Sequence, residues 1–100
     1  EGARCAAMLA NPKVTTMVMG NHGVLVIGRT VAEAFNRLVF FERAAETYIR
    51  ALQTGRPLRV LSEAVAEKTA QEWESYPGYA EAHLREVKAL LDEEGANYAT

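Results

Sequence analysis

The pattern of apolar and polar positions predicts two short strands among several helices. Residues 16–19 and 24–27 are apolar runs of strand length that lean towards β-branched residues, and Gly and Asn residues bracket them. The second run has no polar member, which is typical of a strand covered on both faces. The sequence therefore predicts two interior strands that meet at a Gly-Asn-His-Gly corner, residues 20–23.

A long helix is the clearest single prediction. Thr30 and Glu33 stand at capping-box spacing just before a run with apolar residues at steps of three and four. Gly55 ends this helix and Pro57 prevents its continuation, which predicts a helix over Val31–Gln53. Its broad apolar face should pack on the sheet and contact a further helix or subunit. The apolar positions are Val31, Ala34, Phe35, Leu38, Phe41, Ala45, Tyr48, Ile49 and Leu52.

Three further helices are indicated. Residues 2–10 have the pattern of the last turns of a helix that Asn11-Pro12 stops. Ser62 should cap a second helix with a narrow apolar stripe that ends at Trp73. A break at residues 76–78 separates it from a third helix over Tyr79–Glu93, and the aromatic residues around the break should cover the helix junction.

Composition excludes several classes of function. The 100 residues carry a net charge of −2 without a basic cluster, which argues against a nucleic-acid or anionic-membrane partner. The apolar runs are far shorter than a membrane span. The single cysteine, Cys5, excludes an internal disulfide and fits a reducing compartment, so a cytoplasmic protein is expected.

His22 is the candidate for chemistry. A lone turn histidine is most often satisfied by backbone or water, but neutral imidazole is also the commonest protein donor to zinc. A catalytic zinc needs about three protein ligands, and the sequence contains no HxH, HExxH or CxxC pattern. The only other histidine is His83, within the helix predicted over Tyr79–Glu93. From the residues alone, His22 is either a structural turn residue or one ligand of an incomplete metal site.

The remaining candidates have simpler interpretations. Gly20, Gly23 and Gly28 form no phosphate-binding motif and are interpreted as turn residues with positive φ at the corner and at the helix entrance. Cys5 is expected to be a small core residue. Glu42 is expected to be an ion-pair partner, not a general base.

The segment 17–45 resembles the C-terminal half of the class II aldolase/adducin family. The resemblance lies in the Asn-His-Gly corner, the second strand ending in Gly28, and a helix with Ala34-Phe35 followed by a Glu-Arg-Ala sequence at 42–44. Residues 84–98 resemble the tail of bacterial members of the sugar-phosphate aldolase type. The resemblance implies an α/β fold in which this chain, a β-hairpin followed by a long helix and two further helices, is the C-terminal part of a three-layer α/β/α domain.

The family pattern implies a metal-dependent lyase that cleaves a ketose phosphate by retro-aldol chemistry. His22 corresponds to the third histidine ligand of a divalent cation, usually Zn²⁺, which polarises the substrate carbonyl. The other ligands, an upstream His-x-His pair and an acidic residue, are not in this sequence. The resemblance also implies a sugar phosphate substrate, a role in carbohydrate metabolism and a homotetramer. Related members are epimerases, dehydratases or decarboxylases, and adducin is a non-catalytic scaffold without the metal site.

The two strands alone cannot build a sheet with a substantial core. We therefore expect residues 1–100 to be the C-terminal portion of a single domain, with partner strands from residues upstream of Glu1 or from another chain. The isolated portion is expected to be inactive. Tyr98, near the end, has no motif that would place it in the site.

Overall fold

An antiparallel hairpin followed by a long helix sets the arrangement of the chain. The computed structural model describes residues 2–99. The elements in chain order are α1 (Gly2–Leu9), β1 (Thr16–Met19), β2 (Gly23–Val26), α2 (Val31–Gln53), α3 (Glu63–Glu74) and α4 (Tyr79–Glu93). This small α/β arrangement confirms the predicted hairpin and helices. The second strand lies one residue earlier than the predicted 24–27.

The hairpin closes through a tight turn at its corner. Met17 pairs with Leu25, and Met19 pairs with Gly23, the last pair before the turn. The His22 N–H donates to the Met19 carbonyl at 3.1 Å. Asn21 has a φ of +67°, the left-handed conformation that Asn tolerates better than most residues. The positive φ predicted for this corner is therefore present, although Asn21 and Gly23 adopt it and Gly20 does not.

The two faces of the sheet are covered to different extents. Met17 is 5% exposed, whereas Val18, whose side chain points to the opposite face, is 68% exposed. The side of β2 towards α2 is in contact with that helix, and Val24, Leu25 and Val26 are half-buried. Val24 and Val26 lie on the face of Val18, and Leu25 lies on that of Met17, so both faces of β2 are half-buried in the described residues. Full cover on both faces stays a prediction.

The start of α2 has one of the two hydrogen bonds of a capping box and lacks the other. Thr30 Oγ1 accepts the Glu33 N–H at 3.1 Å, as predicted. The Glu33 carboxylate, however, accepts the backbone N–H of Arg29, also at 3.1 Å, instead of the N–H of the capping residue. Gly28 lies so close to the helix that an added Cβ would be 2.6 Å from the Ala34 nitrogen. Close approach, and not the predicted positive φ, explains the glycine at position 28.

The first half of α2 packs on α4. Ala32 and Asn36 are buried, and the predicted apolar face of α4 is half-buried along its length. That face consists of Ala80, Leu84, Val87 and Leu91. Towards the end of α2, Tyr48, Ile49 and Leu52 are more than half exposed, so the wide apolar face of this helix is only partly covered. The expected contact with a further helix is confirmed for the first half of α2.

The helix that Ser62 was predicted to cap is present as α3, and the Ser62 hydroxyl accepts the Val65 N–H at 3.3 Å. Its apolar stripe is exposed, including Val65 at 49% and Trp73 at 46%. Among residues 2–99, no helix combines the length and apolar character that a bilayer crossing requires.

Candidate functional site

His22 lies at the tip of the hairpin and is exposed. Its backbone is held by the turn hydrogen bond to Met19, and it sits between Asn21 and Gly23, which both have positive φ. The imidazole is therefore carried on a defined turn, and it is not packed among apolar side chains. This placement is compatible with a ligand role and does not distinguish it from a structural turn histidine.

The described residues do not complete a metal centre. Within residues 2–99, no three His, Cys, Asp or Glu side chains come together in a way that could hold a metal ion. Cys5 is half-buried on α1, in keeping with its expected role as a small packing residue. His22 can thus contribute one donor, and the others that a catalytic zinc needs would come from outside this part of the chain.

His83 is engaged between helices and belongs to the packing. Its Nδ1 lies 2.8 Å from the Asn36 Oδ1, and its ring packs against Phe35 with the ring centroids 5.1 Å apart. Asn36 is the buried polar residue of this interface, at 7% exposed. The hydrogen bond satisfies the amide oxygen in a place where water is largely excluded.

An ion network around Arg37 joins α2, α3 and the connection between β2 and α2, and sequence reasoning did not predict it. The guanidinium donates to both carboxylate oxygens of Glu74 at 3.1 and 2.7 Å and to the Ile27 carbonyl at 2.8 Å. Its Nη2 also lies 2.6 Å from a Glu33 oxygen. Glu33 and Arg37 have the i,i+4 spacing that could have indicated this pair, whereas Glu74 is too far along the chain for any local signal.

The network shifts the pKa values of its members. Hydrogen bonding to Glu74 raises the pKa of Arg37; burial opposes this rise, and the charges of Glu74 and Glu33 add to it. Burial raises the pKa of Glu33, but hydrogen bonds from Arg29 and the charges of Arg37 and Arg29 outweigh it, so the pKa is lowered overall. The guanidinium thus has several compensating acceptors, which suits a structural clamp better than an anion-binding site.

A cleft of about 460 Å³ lies beside this network. Arg29, Glu33, Arg37 and Glu74 line one side, and residues of the α3–α4 junction line the other. His22 is not among its lining residues, so this cleft provides no cavity next to the candidate ligand.

The aromatic residues near the connection between α3 and α4 form one cluster, as predicted. The ring centroids of Trp73 and Tyr79 are 5.0 Å apart, and those of Tyr76 and Tyr79 are 6.1 Å apart. Phe40 of α2 contacts Trp73 edge to face, with 4.8 Å between the centroids. The cluster therefore covers the junction of α3 and α4 and ties it to α2.

Within residues 2–99, Glu42 lacks the predicted ion pair, and Tyr98 makes a hydrogen bond that was not predicted. Glu42 forms no ion pair within residues 2–99, whereas its neighbour Arg43 lies over the Phe40 ring at 5.5 Å. The Tyr98 hydroxyl donates to Asp92 Oδ1 at 2.7 Å, which connects the tail to the end of α4. This hydrogen bond raises the pKa of Tyr98, with burial and the Asp92 charge as the lesser causes.

Comparison with known families identifies the segment that carries the hairpin and most of α2. Residues 1–49 match the model of the family described as Class II Aldolase and Adducin N-terminal domain. Over these residues the chain is similar to the class II aldolase/adducin family. Comparisons with curated proteins and with solved structures give no match. The resemblance of residues 17–45 is thereby confirmed, while the resemblance of residues 84–98 to bacterial tails lies outside the matched segment.

Proposed function

We propose that this chain is part of a metal-dependent lyase that cleaves a ketose phosphate by retro-aldol chemistry. The observation that carries the proposal is the position of His22 within the matched class II aldolase/adducin segment, at an exposed and ordered hairpin corner. In this proposal the chain is the C-terminal portion of one three-layer α/β/α domain that assembles as a homotetramer.

The residues present fit a divalent cation in one respect. An accessible imidazole on a fixed turn is a suitable zinc donor, and no packed side chain covers it. His22 would hold the ion together with donors from outside the described residues. Such a cation supplies Lewis-acid polarisation of a carbonyl oxygen when it is bound.

The contribution of this chain is the orientation of that donor. The pairing of Met19 with Gly23 and the turn hydrogen bond from His22 fix the backbone that carries the ring. A fixed donor loses little conformational freedom on ligation, which favours tight and geometrically defined binding. The role that we assign to His22 is therefore ligation, and we assign no proton transfer to it.

A second candidate is a non-catalytic scaffold of the adducin type. It is favoured by the family match, which covers aldolases and adducin alike, whereas the presence of His22 at the corner argues against it. An epimerase, dehydratase or decarboxylase of the same fold would use the same cation for a related carbonyl chemistry. These alternatives differ in whether the protein binds metal at all and in what it does to a sugar phosphate.

A turnover assay separates the candidates. The intact protein is incubated with a panel of ketose phosphates, and aldehyde release is followed with and without a chelator. The lyase proposal predicts release that the chelator abolishes and that added Zn²⁺ restores. Metal-dependent conversion without carbon–carbon cleavage would indicate one of the related enzymes, and the absence of any metal-dependent conversion would favour the scaffold.

A further inference from the structure

The connection between α3 and α4 brings three aromatic rings around one pocket. Trp73 lies in the last turn of α3, Tyr79 begins α4, and Tyr76 lies in the connection between them. The planes of Trp73 and Tyr79 are inclined by 60°, and those of Tyr76 and Tyr79 by 87°. Rings at such angles form a corner in place of a flat stack. The pocket that they line with Thr69 and Glu72 has a volume of about 310 Å³.

This cluster is supported on one side and open to water on the other. Phe40 packs against Trp73 from α2, which fixes the position of the indole. Tyr76 is nevertheless 68% exposed, Trp73 46% and Tyr79 40%. Three large rings that remain this accessible offer a ready surface for a ligand.

The charge at the pocket favours a cation. The faces of aromatic rings carry negative potential, and Trp and Tyr are the rings that attract cations best. Glu72 adds a carboxylate to the lining, and this side chain is 68% exposed. Its ion-pair partner Lys68 is 4.0 Å away, at the outer limit of such a contact, so Glu72 is only weakly neutralised.

A quaternary ammonium group matches this combination of features. Its charge is spread over methyl groups that lose water easily, and recognition by a group of aromatic rings is the established mode of binding for such cations. An anionic ligand would be repelled by the Glu72 carboxylate and by the negative potential of the ring faces. We propose that the pocket formed by Glu72, Trp73, Tyr76 and Tyr79 binds a small quaternary ammonium compound. This site is separate from the proposed metal ligand.

Choline is the probe that tests the proposal, and Trp73 is the natural reporter because it lines the pocket and is the only tryptophan within residues 1–100. Titration of the intact protein with choline chloride should change the Trp73 fluorescence in a saturable manner. Sodium chloride at equal concentration should give no saturable change. The neutral isostere 3,3-dimethylbutanol, in which carbon replaces the charged nitrogen, should bind at least fivefold more weakly. An equal response to choline and to the isostere would overturn the proposal.

Variants of the lining distinguish a cation site from a general effect on the fold. Removal of one ring with Tyr76→Ala should weaken choline binding about two- to fivefold, the usual contribution of one exposed cation–π contact. Tyr76→Phe keeps the ring and should bind as the wild type does. Glu72→Gln should also weaken binding, and this effect should shrink as the salt concentration rises.

Two controls complete the test. Tyr48→Ala removes a tyrosine of α2 that is also more than half exposed but lies outside this pocket, and it should leave choline binding unchanged. His22→Ala should also leave it unchanged, so that failure of the metal proposal and failure of this one are distinguishable. If Tyr48→Ala weakens binding as much as Tyr76→Ala does, the proposal is wrong.

Discussion

The imidazole Nδ1 of His83 lies 2.8 Å from the amide oxygen of Asn36, and this hydrogen bond joins α4 to α2 in the least exposed part of the molecule. Because an amide oxygen only accepts hydrogen bonds, Nδ1 must carry the proton that is donated. The polar pair therefore sets the tautomer of His83 as well as the register of the two helices.

Replacement of Asn36 by leucine should destabilise the fold although it adds apolar volume. The substitution leaves the donating Nδ1 of His83 without an acceptor, and an unsatisfied buried polar group costs about 1–3 kcal/mol. Asn36→Asp keeps an acceptor at this position and should destabilise the fold less. Urea unfolding of the intact protein measures both. A leucine variant as stable as the wild type would show that the hydrogen bond contributes little.

Alanine at position 28 should be poorly tolerated. The added Cβ would lie 2.6 Å from the Ala34 backbone nitrogen, so the entry to α2 would have to shift. Such overpacking costs about 1–3 kcal/mol. Gly20→Ala is the matched control, because nothing lies within 4 Å of its added Cβ and its φ is not positive. Equal thermal midpoints for the two variants would contradict the close approach seen at Gly28.

Loss of the Arg37 side chain should reduce the free energy of unfolding more than loss of a largely exposed arginine does. Arg37→Gln removes contacts with Glu33, Glu74 and the Ile27 carbonyl, and the Arg37 side chain is only 17% exposed. We expect a loss of about 1.5–3 kcal/mol, the range for hydrogen bonds to charged groups. Arg50→Gln breaks an exposed helical pair with Glu46 and should cost below about 0.5 kcal/mol. Similar urea midpoints for both variants would count against the clamp.

Acid should weaken the protein partly through Glu33. Its pKa is lowered in the folded state, so its contribution to stability is present above the reference pKa of 4.5 and is lost as the pH falls through the folded value. Unfolding midpoints at about pH 7 and about pH 3 should therefore differ less in Glu33→Gln than in the wild type. Glu81→Gln, on the exposed side of α4, serves as the control and should retain the wild-type acid response.

Local signals explain which parts of the structure could be predicted. The bounds of α2 and α4 follow from caps, breakers and apolar spacing within a few residues, and both helices have the predicted limits. The aromatic cluster was predictable because Trp73, Tyr76 and Tyr79 flank one break in the chain. Each of these features is encoded by neighbouring residues.

Features that depend on distant residues could not be predicted. The contact between Asn36 and His83 joins positions 47 residues apart, and the contact between Arg37 and Glu74 joins positions 37 apart. The burial of the strands also depends on which layers pack on the sheet, and an apolar run alone does not reveal how far each face is covered. At the candidate site, the sequence predicted the corner that carries His22, while its ligand role stays a prediction.

The metal content of the intact protein tests the central proposal most directly. Wild type, His22→Ala and His83→Gln are purified without a chelator, and bound zinc is measured by elemental analysis. His83→Gln removes the only other imidazole within residues 1–100 and keeps a polar group near Asn36, so it controls for general loss of histidine. The account predicts that His22→Ala loses its zinc while His83→Gln retains it. Zinc bound by His22→Ala at the wild-type level would contradict it.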